Sequence, residues 1–362
     1  MKLKKLELPD KCRIIAISDV HTARELMAKV LKKAEYKPGE DYLIVVGDIL
    51  ERGSENIEMV RYAMEIAKVD RVFFTMGNND TMVNRMASID TYEKYQERMN
   101  FRPVNTFSQM AKELGITDFE HDFEKKRRMV ASAYSKELEF MGSFPTAIAT
   151  QKHIFVHAGI ENRKDWENTS GIYALTTKWF LREENCSDKW VVVGHYPSYN
   201  YKEANNTNNP IIDTRKRMVC IDGGINVTDV NQLNAFIINK CGENYEYEFV
   251  CENSYEKKTV IRDFDLGITP VYIDCDNQNN DFIEEKDGFV HLKNNFTGES
   301  GWIIKSAVHF DSDMPRVYQR LSAFPKVKCG DEVSVCRESG GYCLIVIKDG
   351  FVGWIPTDVI QK

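Results

Sequence analysis

The sequence predicts an α/β sandwich flanked by helices and followed by a smaller all-β region. Three observations carry this expectation. Short apolar runs recur along the first two-thirds of the chain, each closed by a polar residue or a glycine. Helix-like patterns lie between the first three runs. Beyond about residue 260 the chain turns to brief strand-like stretches separated by Gly, Asn and Asp.

The runs are, in order, Arg13 to Ile17 before Ser18-Asp19, Tyr42 to Val46 before Gly47-Asp48, and Arg71 to Met76 before Gly77-Asn78. His153 to Val156 before His157, Trp190 to Val193 before Gly194-His195, and Met218 to Ile221 before Asp222-Gly223-Gly224 complete the series. Consecutive aliphatic and β-branched residues bounded by such breaks read as buried strands. Ala23 to Ala34 and Asn56 to Ala67 space their apolar residues as one face of a helix does. Alternating strand and helix implies layers in which ligands gather at the carboxyl ends of the strands. Residues 81–150 are polar, aromatic and helical in pattern, over Thr91 to Met99, Ser108 to Leu114 and Phe123 to Phe140. They are expected to form a helical insertion beside the site, within a first domain of residues 1–255.

In the last third, Gly301-Trp302-Ile303 and Gly353-Trp354-Ile355 form a weak repeat, each followed by an apolar residue five positions beyond the tryptophan. The second copy reads Val327-Lys-Cys-Gly-Asp-Glu-Val333, then Tyr342 to Lys348, then Asp349-Gly-Phe-Val-Gly-Trp-Ile355. Short strands joined by tight turns suggest a small barrel. This stretch resembles a bacterial SH3-like domain, so residues 311–362 are expected to be such a module and residues 263–308 a degenerate first copy. Two roles stay open for its tryptophans, packing inside the barrel or serving as platforms for a peptide or glycan.

Of the 362 residues 43% are hydrophobic and 28% charged, with a net charge of −7, which fits a folded globular chain and argues against a general grip on nucleic acid. No run approaches the roughly 20 apolar residues that span a bilayer. The short apolar run after the basic N-terminus reads as a first strand rather than a signal peptide, so a cytoplasmic location without membrane attachment is expected. Nine cysteines without a CxxC pair read as reduced and mostly buried.

Hard divalent cations beside a phosphate prefer carboxylate, amide oxygen and imidazole ligands, and two such ions can clamp both the attacking and the leaving oxygen. Asp19 and His21 offer a carboxylate and an imidazole at the first strand end. Asp48 stands at the second, where one carboxylate can bridge two ions. Asn78 supplies an amide oxygen at the third, and His157 and His195 bring imidazoles from the fourth and fifth. Singly, each is an ordinary turn residue or a satisfied histidine. In series at strand ends, they read as a metal site.

The matching segments are Asp19-Val-His21, Gly47-Asp48-Ile-Leu-Glu51-Arg52-Gly53, Gly77-Asn78-Asn79-Asp80, His157-Ala-Gly159, Gly194-His195-Tyr-Pro197 and Ile221-Asp222-Gly-Gly224. On these six motifs the chain from about 13 to 240 resembles the calcineurin-like metallophosphoesterases, in the phosphoprotein-phosphatase branch and near the bacterial symmetrical diadenosine tetraphosphate hydrolases. The resemblance implies that Asp19 and His21 bind one metal, that Asn78, His157 and His195 bind the other, and that Asp48 bridges them. Manganese or iron is usual in such proteins, and zinc is also used. The implied mechanism is direct in-line attack by a water acidified between the ions. Arg52 matches the family's phosphate-binding arginine. Arg182, in Trp179-Phe-Leu-Arg182, is either a second one or a solvated helix charge. Asn78 also counts toward the phosphate site. Asp80 and Asp222 are read as supporting the ligands from behind, with a plain turn the alternative for Asp222.

Two departures matter. Where the family carries a histidine after Gly-Asn and an aspartate before Arg-Gly, this chain has Asn79 and Glu51. Asparagine cannot deliver a proton near neutral pH. A general acid contributes roughly 100- to 10,000-fold, so esters or anhydrides with good leaving groups are favoured unless Glu51 substitutes. The readings are therefore a phosphatase of phosphoproteins or small phosphate esters, a nucleotide-anhydride hydrolase of the diadenosine tetraphosphatase type, or a weakened enzyme acting as a scaffold through its SH3-like tail.

Overall fold

The computed structural model describes residues 1–201, 205–267, 271–272, 279–286, 288–311, 314–317 and 321–361. The chain divides into two compact units, one of residues 1–197, 210–227 and 231–253, the other of residues 198–209, 228–230 and 254–362. In the first unit the order is β1 (Leu3–Lys5), β2 (Lys11–Ile17), α1 (Arg24–Lys33), β3 (Tyr42–Val46), α2 (Asn56–Ile66) and β4 (Val72–Thr75). Five helices follow: α3 (Thr81–Ala87), α4 (Tyr92–Phe101), α5 (Thr106–Glu113), α6 (Phe123–Ala133) and α7 (Ser135–Ser143). Then come β5 (Ala147–Ala149), β6 (His153–Val156), α8 (Gly171–Thr176), β7 (Trp190–Val193), β8 (Ile211–Asp213), β9 (Met218–Cys220), β10 (Leu233–Cys241) and β11 (Asn244–Glu252).

Two sheets result, ordered β11-β10-β2-β3-β4 and β1-β5-β6-β7-β9-β8. Because strand side chains alternate between faces, each central strand must be apolar on both. Ile14, Ala16, Ile44 and Val46 pack with Ile148, Phe155, Val192 and Val219 of the other sheet. Their neighbours Ile15, Ile17, Leu43 and Val45 face the other way and pack with Met27 and Val30 of α1 and Met59 and Val60 of α2. β2, β3 and β4 run parallel, as do β6, β7 and β9. Three carboxyl ends of each sheet therefore deliver the six polar turns that the sequence singled out.

The insertion is helical as expected, with two differences. The stretch from 123 to 140 is two helices rather than one. The chain leaves helical geometry at Tyr134, whose ring is buried and whose hydroxyl donates to Glu113 Oε2 at 2.6 Å. α3, starting directly after Asp80, was not foreseen because seven residues give no readable period. Asn105 and Ser108 cap α5 reciprocally. Tyr95, Phe107, Phe119 and Phe123 form a ring cluster that fixes α4 against α5, with Tyr95 and Phe119 centroids 4.7 Å apart.

The second unit is all-β. The strands Asn280–Lys286, Phe289–Asn294 and Ser300–Ile304 form one antiparallel sheet, and Glu332–Ser339, Tyr342–Val346 and Val352–Pro356 another, edged by Glu256–Thr259. Each Gly-Trp-Ile strand passes into a short 3-10 helix, Lys305–Ala307 or Thr357–Val359, and Ala307 and Val359 are the buried apolar residues of the repeat. Trp354 is buried beneath Arg337, while Trp302 is half-buried and stacks on His291. The cysteine expectation needs correction. The eight cysteines among the described residues are free, but only Cys220 and Cys343 are buried. Cys186, Cys241 and Cys329 lie in turns or at strand ends, where a side chain has no core to enter. Cys275 lies outside the described residues. No helix of the described residues is long and apolar enough to cross a membrane.

Candidate metal centre

Every ligand candidate sits one to four residues past a strand end, where the backbone must turn sharply to bring its side chain over the sheets. Asp19, His21, Asp48 and His195 do so in the left-handed region, at φ of 51°, 43°, 52° and 69°. Such residues cost on the order of 1 kcal/mol or more each and persist only where surrounding contacts over-determine them. Those contacts are present. Asp19 N–H donates to Gly47 O and His21 N–H to Asp48 O, both at 3.1 Å. Asp80 accepts four backbone N–H groups, from Asp48 (2.8 Å), Ile49 (3.0 Å), Leu50 (3.1 Å) and Gly77 (3.0 Å), and so clamps the Asp48 turn from below. A Cβ on Gly77 would fall 2.1 Å from Asp48 N and Oδ1, so only glycine lets the two turns approach this closely.

Two sets of ligand atoms converge, each within 4.8 Å: Asp19, His21 and Asp48, and Asp48, His157 and His195. Asp48 belongs to both. His21 Nδ1 lies 3.0 Å from Leu50 O and His157 Nδ1 3.2 Å from Val46 O. A carbonyl only accepts, so each Nδ1 carries the proton and each Nε2 faces the cluster, as in metal-bound histidines steadied by a carbonyl. His157 Nε2 is 2.9 Å from Asn78 Oδ1 and 3.4 Å from Asp48 Oδ2, and His21 Nε2 is 3.8 Å from Asp19 Oδ1. His195 stands with its ring 5.0 Å from that of His157, and its backbone N–H donates to Asp19 Oδ2 at 2.9 Å.

The electrostatics ask for cations. Asp19, Asp48, Asp80 and Asp222 are all buried to 2% exposure or less. Burial, then the Asp48 charge, pushes Asp80 up to about 7. Burial, opposed by the Gly224 N–H, pushes Asp222 up to about 7, and burial and Asp222 hold Asp19 well above the carboxylate range. Against the effect of burial, His157 holds Asp48 far below that range, and Asp48 and Asp19 in turn push His157 up to about 10. Burial lowers His21 to about 4 and His195 to about 3, the neutral form a metal requires. Asp222 Oδ1 accepts from Gly224 N–H at 2.8 Å, while Oδ2 is a buried acceptor without a hydrogen-bond partner. Four buried carboxylates, one with an orphaned oxygen, beside three imidazoles and an amide oxygen make a donor set that fits two divalent cations.

The remaining candidates divide. Asn79 is at the centre: its N–H donates to Asp48 Oδ1 at 2.8 Å and its amide nitrogen to Asp48 Oδ2. Its Oδ1 accepts from Arg102 Nη1 at 2.7 Å. Glu51 has no exposed surface, and Thr106 N–H and Oγ1 hold its Oε1 at 3.1 and 2.7 Å. Its Oε2 lies 3.7 Å from Arg102. A carboxyl enclosed in this way supports Arg102. Arg52 is exposed, at φ 65°, and its charge bears on both His21 and Asp222. Arg182 is exposed and lies over the Trp179 ring at 3.5 Å; Trp179 in turn packs on Tyr196, next to His195. Arg102 and Thr106 were missed in the sequence. They sit in the insertion, more than 20 residues from Asn79, and no motif spacing marks them.

A shared-carboxylate cradle at the strand ends of an α/β sandwich defines a candidate metal-binding centre. The family model described as calcineurin-like phosphoesterase matches residues 12–228, more than half of the chain. The chain belongs to that family. Over 64 residues it is 36% identical to the symmetrical bis(5'-nucleosyl)-tetraphosphatase of Buchnera aphidicola subsp. Acyrthosiphon pisum (strain Tuc7), covering 18% of this chain and 23% of that protein. It is 34% identical over 64 residues to the enzyme of the same name from Cronobacter sakazakii, covering 18% of this chain and 22% of that one. The match thus spans less than a quarter of these relatives. A protein serine/threonine phosphatase from Saccharomyces cerevisiae with similarity to human phosphatase PP5 aligns with a TM-score of 0.42 at 14% identity, over 70% of this chain and 84% of that one.

Proposed function

We propose that the chain hydrolyses phosphate monoesters, of a phosphoprotein or a small molecule, with two divalent cations held by Asp19, His21, Asp48, Asn78, His157 and His195. The observation that carries the reading is the pair of ligand sets sharing Asp48. When bound, the cations supply Lewis-acid charge and a water acidified toward neutrality. The chain's own residues do the rest. Asp80 and Asn79 fix the Asp48 carboxylate, and the carbonyls of Leu50 and Val46 fix the imidazole tautomers. Arg52, unburdened by an ion pair among the described residues, meets the phosphoryl oxygens through its planar fork. Arg182 is a second, outer arginine for the same anion, and Asp222 steadies the ligand cluster through the turn it forms with Gly224.

A specific observation favours a second reading, hydrolysis of nucleotide anhydrides. Asn79 and Arg102 occupy the leaving side, where a guanidinium stabilises an anionic leaving group but delivers no proton. The expected metal is manganese, with iron or zinc as alternatives. The all-β unit, as an SH3-like module, is assigned to partner contact. The test is a screen of the purified protein with manganese, iron, zinc and magnesium. Released phosphate from phenyl phosphate and a phosphopeptide is compared with nucleotides released from diadenosine tetraphosphate. Metal uptake without turnover of any of these would replace the hydrolytic reading with a phosphate-binding, scaffolding one.

A further inference from the structure

A pocket of about 170 Å³ opens from Asn78 and Asn79 into the helical insertion. Three of its ten lining side chains are arginines, Arg85, Arg98 and Arg102, and none is acidic. Arg85 lies in the last turn of α3, and Arg98 and Arg102 are one turn apart along α4 and its end. Arg102 is tied to Asn79 and Glu51, whereas the Arg85 and Arg98 side chains are exposed and make no ion pair or hydrogen bond with the described residues. Met82, Met86 and Ile89 supply an apolar wall, and Phe101, 77% exposed, stands at the rim. Resting arginines near a helix carboxyl end gain a little from its dipole. That gain does not account for three guanidinium-bearing side chains around one cavity that no carboxylate lines. Like charges gathered there repel one another, and a polyvalent anion would relieve the repulsion.

We propose that this pocket is a second anion subsite, so that the preferred substrate carries a second phosphate on its leaving group. The proposal rests on the hydrolytic reading above, since the pocket begins at Asn78 and Asn79, beside the ligands. One phosphate lies over Asp48 and Arg52, and the other sits between Arg85 and Arg98, with any apolar part of the substrate against Met82 and Phe101. The second phosphate is either linked through an anhydride or borne on a separate ester.

Two probes distinguish these sources: inorganic tripolyphosphate and propane-1,3-diol bisphosphate, each set against phenyl phosphate in the full-length, metal-loaded protein. At least one bisphosphorylated probe is expected to show a kcat/KM about tenfold or more above phenyl phosphate. R85A/R98A should reduce that preference at least about tenfold, the loss that follows when one charge-assisted hydrogen bond is removed. R85K/R98K, which keeps charge but loses the fork, should fall between. Preference for one probe alone supports the proposal and identifies the linkage. Calorimetric binding of tripolyphosphate separates the two ideas. If no substrate turns over but R85A/R98A weakens that binding about tenfold, the hydrolytic reading fails and the subsite stands. Unchanged tripolyphosphate affinity in R85A/R98A, or an equal loss on phenyl phosphate and both bisphosphates, overturns the subsite.

Discussion

Replacing Asn79 by histidine tests how the leaving side of the centre works. Asparagine holds Asp48 and accepts from Arg102, but carries no proton to give. An imidazole there becomes a general acid only in its protonated form. Arg102 Nη1 lies 2.7 Å from the atom it would replace. A unit charge about 4 Å away is worth about 1 kcal/mol in a water-like surrounding and about 4 kcal/mol at an effective dielectric near 20. That corresponds to lowering the imidazole by roughly one to three pH units. Asn79→His alone is therefore expected to be mostly neutral near pH 7 and to raise the rate on an alkyl phosphate only severalfold, the gain growing as pH falls. Adding Arg102→Ala removes the guanidinium and should bring the gain near neutrality toward the roughly 100-fold lower end of general-acid catalysis. The assay is phosphate release from glycerol phosphate and from an aryl phosphate between about pH 5 and 8. An alkyl-to-aryl ratio unchanged in both variants at every pH would refute the argument and place proton delivery elsewhere.

Asp48→Asn removes the carboxylate common to both ligand sets, so turnover should vanish and metal content by elemental analysis should fall; normal turnover would contradict the shared role. Gly77→Ala drives a Cβ to 2.1 Å from Asp48 N and Oδ1, so metal content should drop while far-ultraviolet circular dichroism keeps its shape; full metal occupancy would show that the turns can part. In chelator-treated protein His157 is raised from its ordinary value near 6.5 to about 10, so its contribution to stability is complete below about 6.5 and is lost as pH rises through about 10. Denaturation midpoints of that protein should fall over this window, manganese should restore them, and metal binding at pH 7 should release protons to a weakly buffered solution. A midpoint indifferent to pH between about 7 and 10 would exclude the buried imidazolium.

The sequence by itself determined the layers and marked the candidate ligands. Apolar runs ending in Asp, Asn or His are a local signal, because a strand buried on both faces must be apolar throughout and must stop where the chain turns over the sheet. Asp19, His21, Asp48, Asn78, His157 and His195 were legible as candidates for that reason. β10 and β11 were not, because polar residues break their runs: Asn234 is buried inside β10 by a side-chain bond to Ile221 O. The tertiary structure alone decided which atoms hold the candidate ligands from behind and beside. That Asp80 clamps the Asp48 turn depends on how closely the β3 and β4 turns approach, while the sealing of Glu51 by Thr106 and the hold of Arg102 on the Asn79 amide oxygen depend on how α4 and α5 fold back onto those turns. Side chains so distant along the chain are brought together by packing of the ring cluster around Tyr95, and packing leaves no mark in residue spacing.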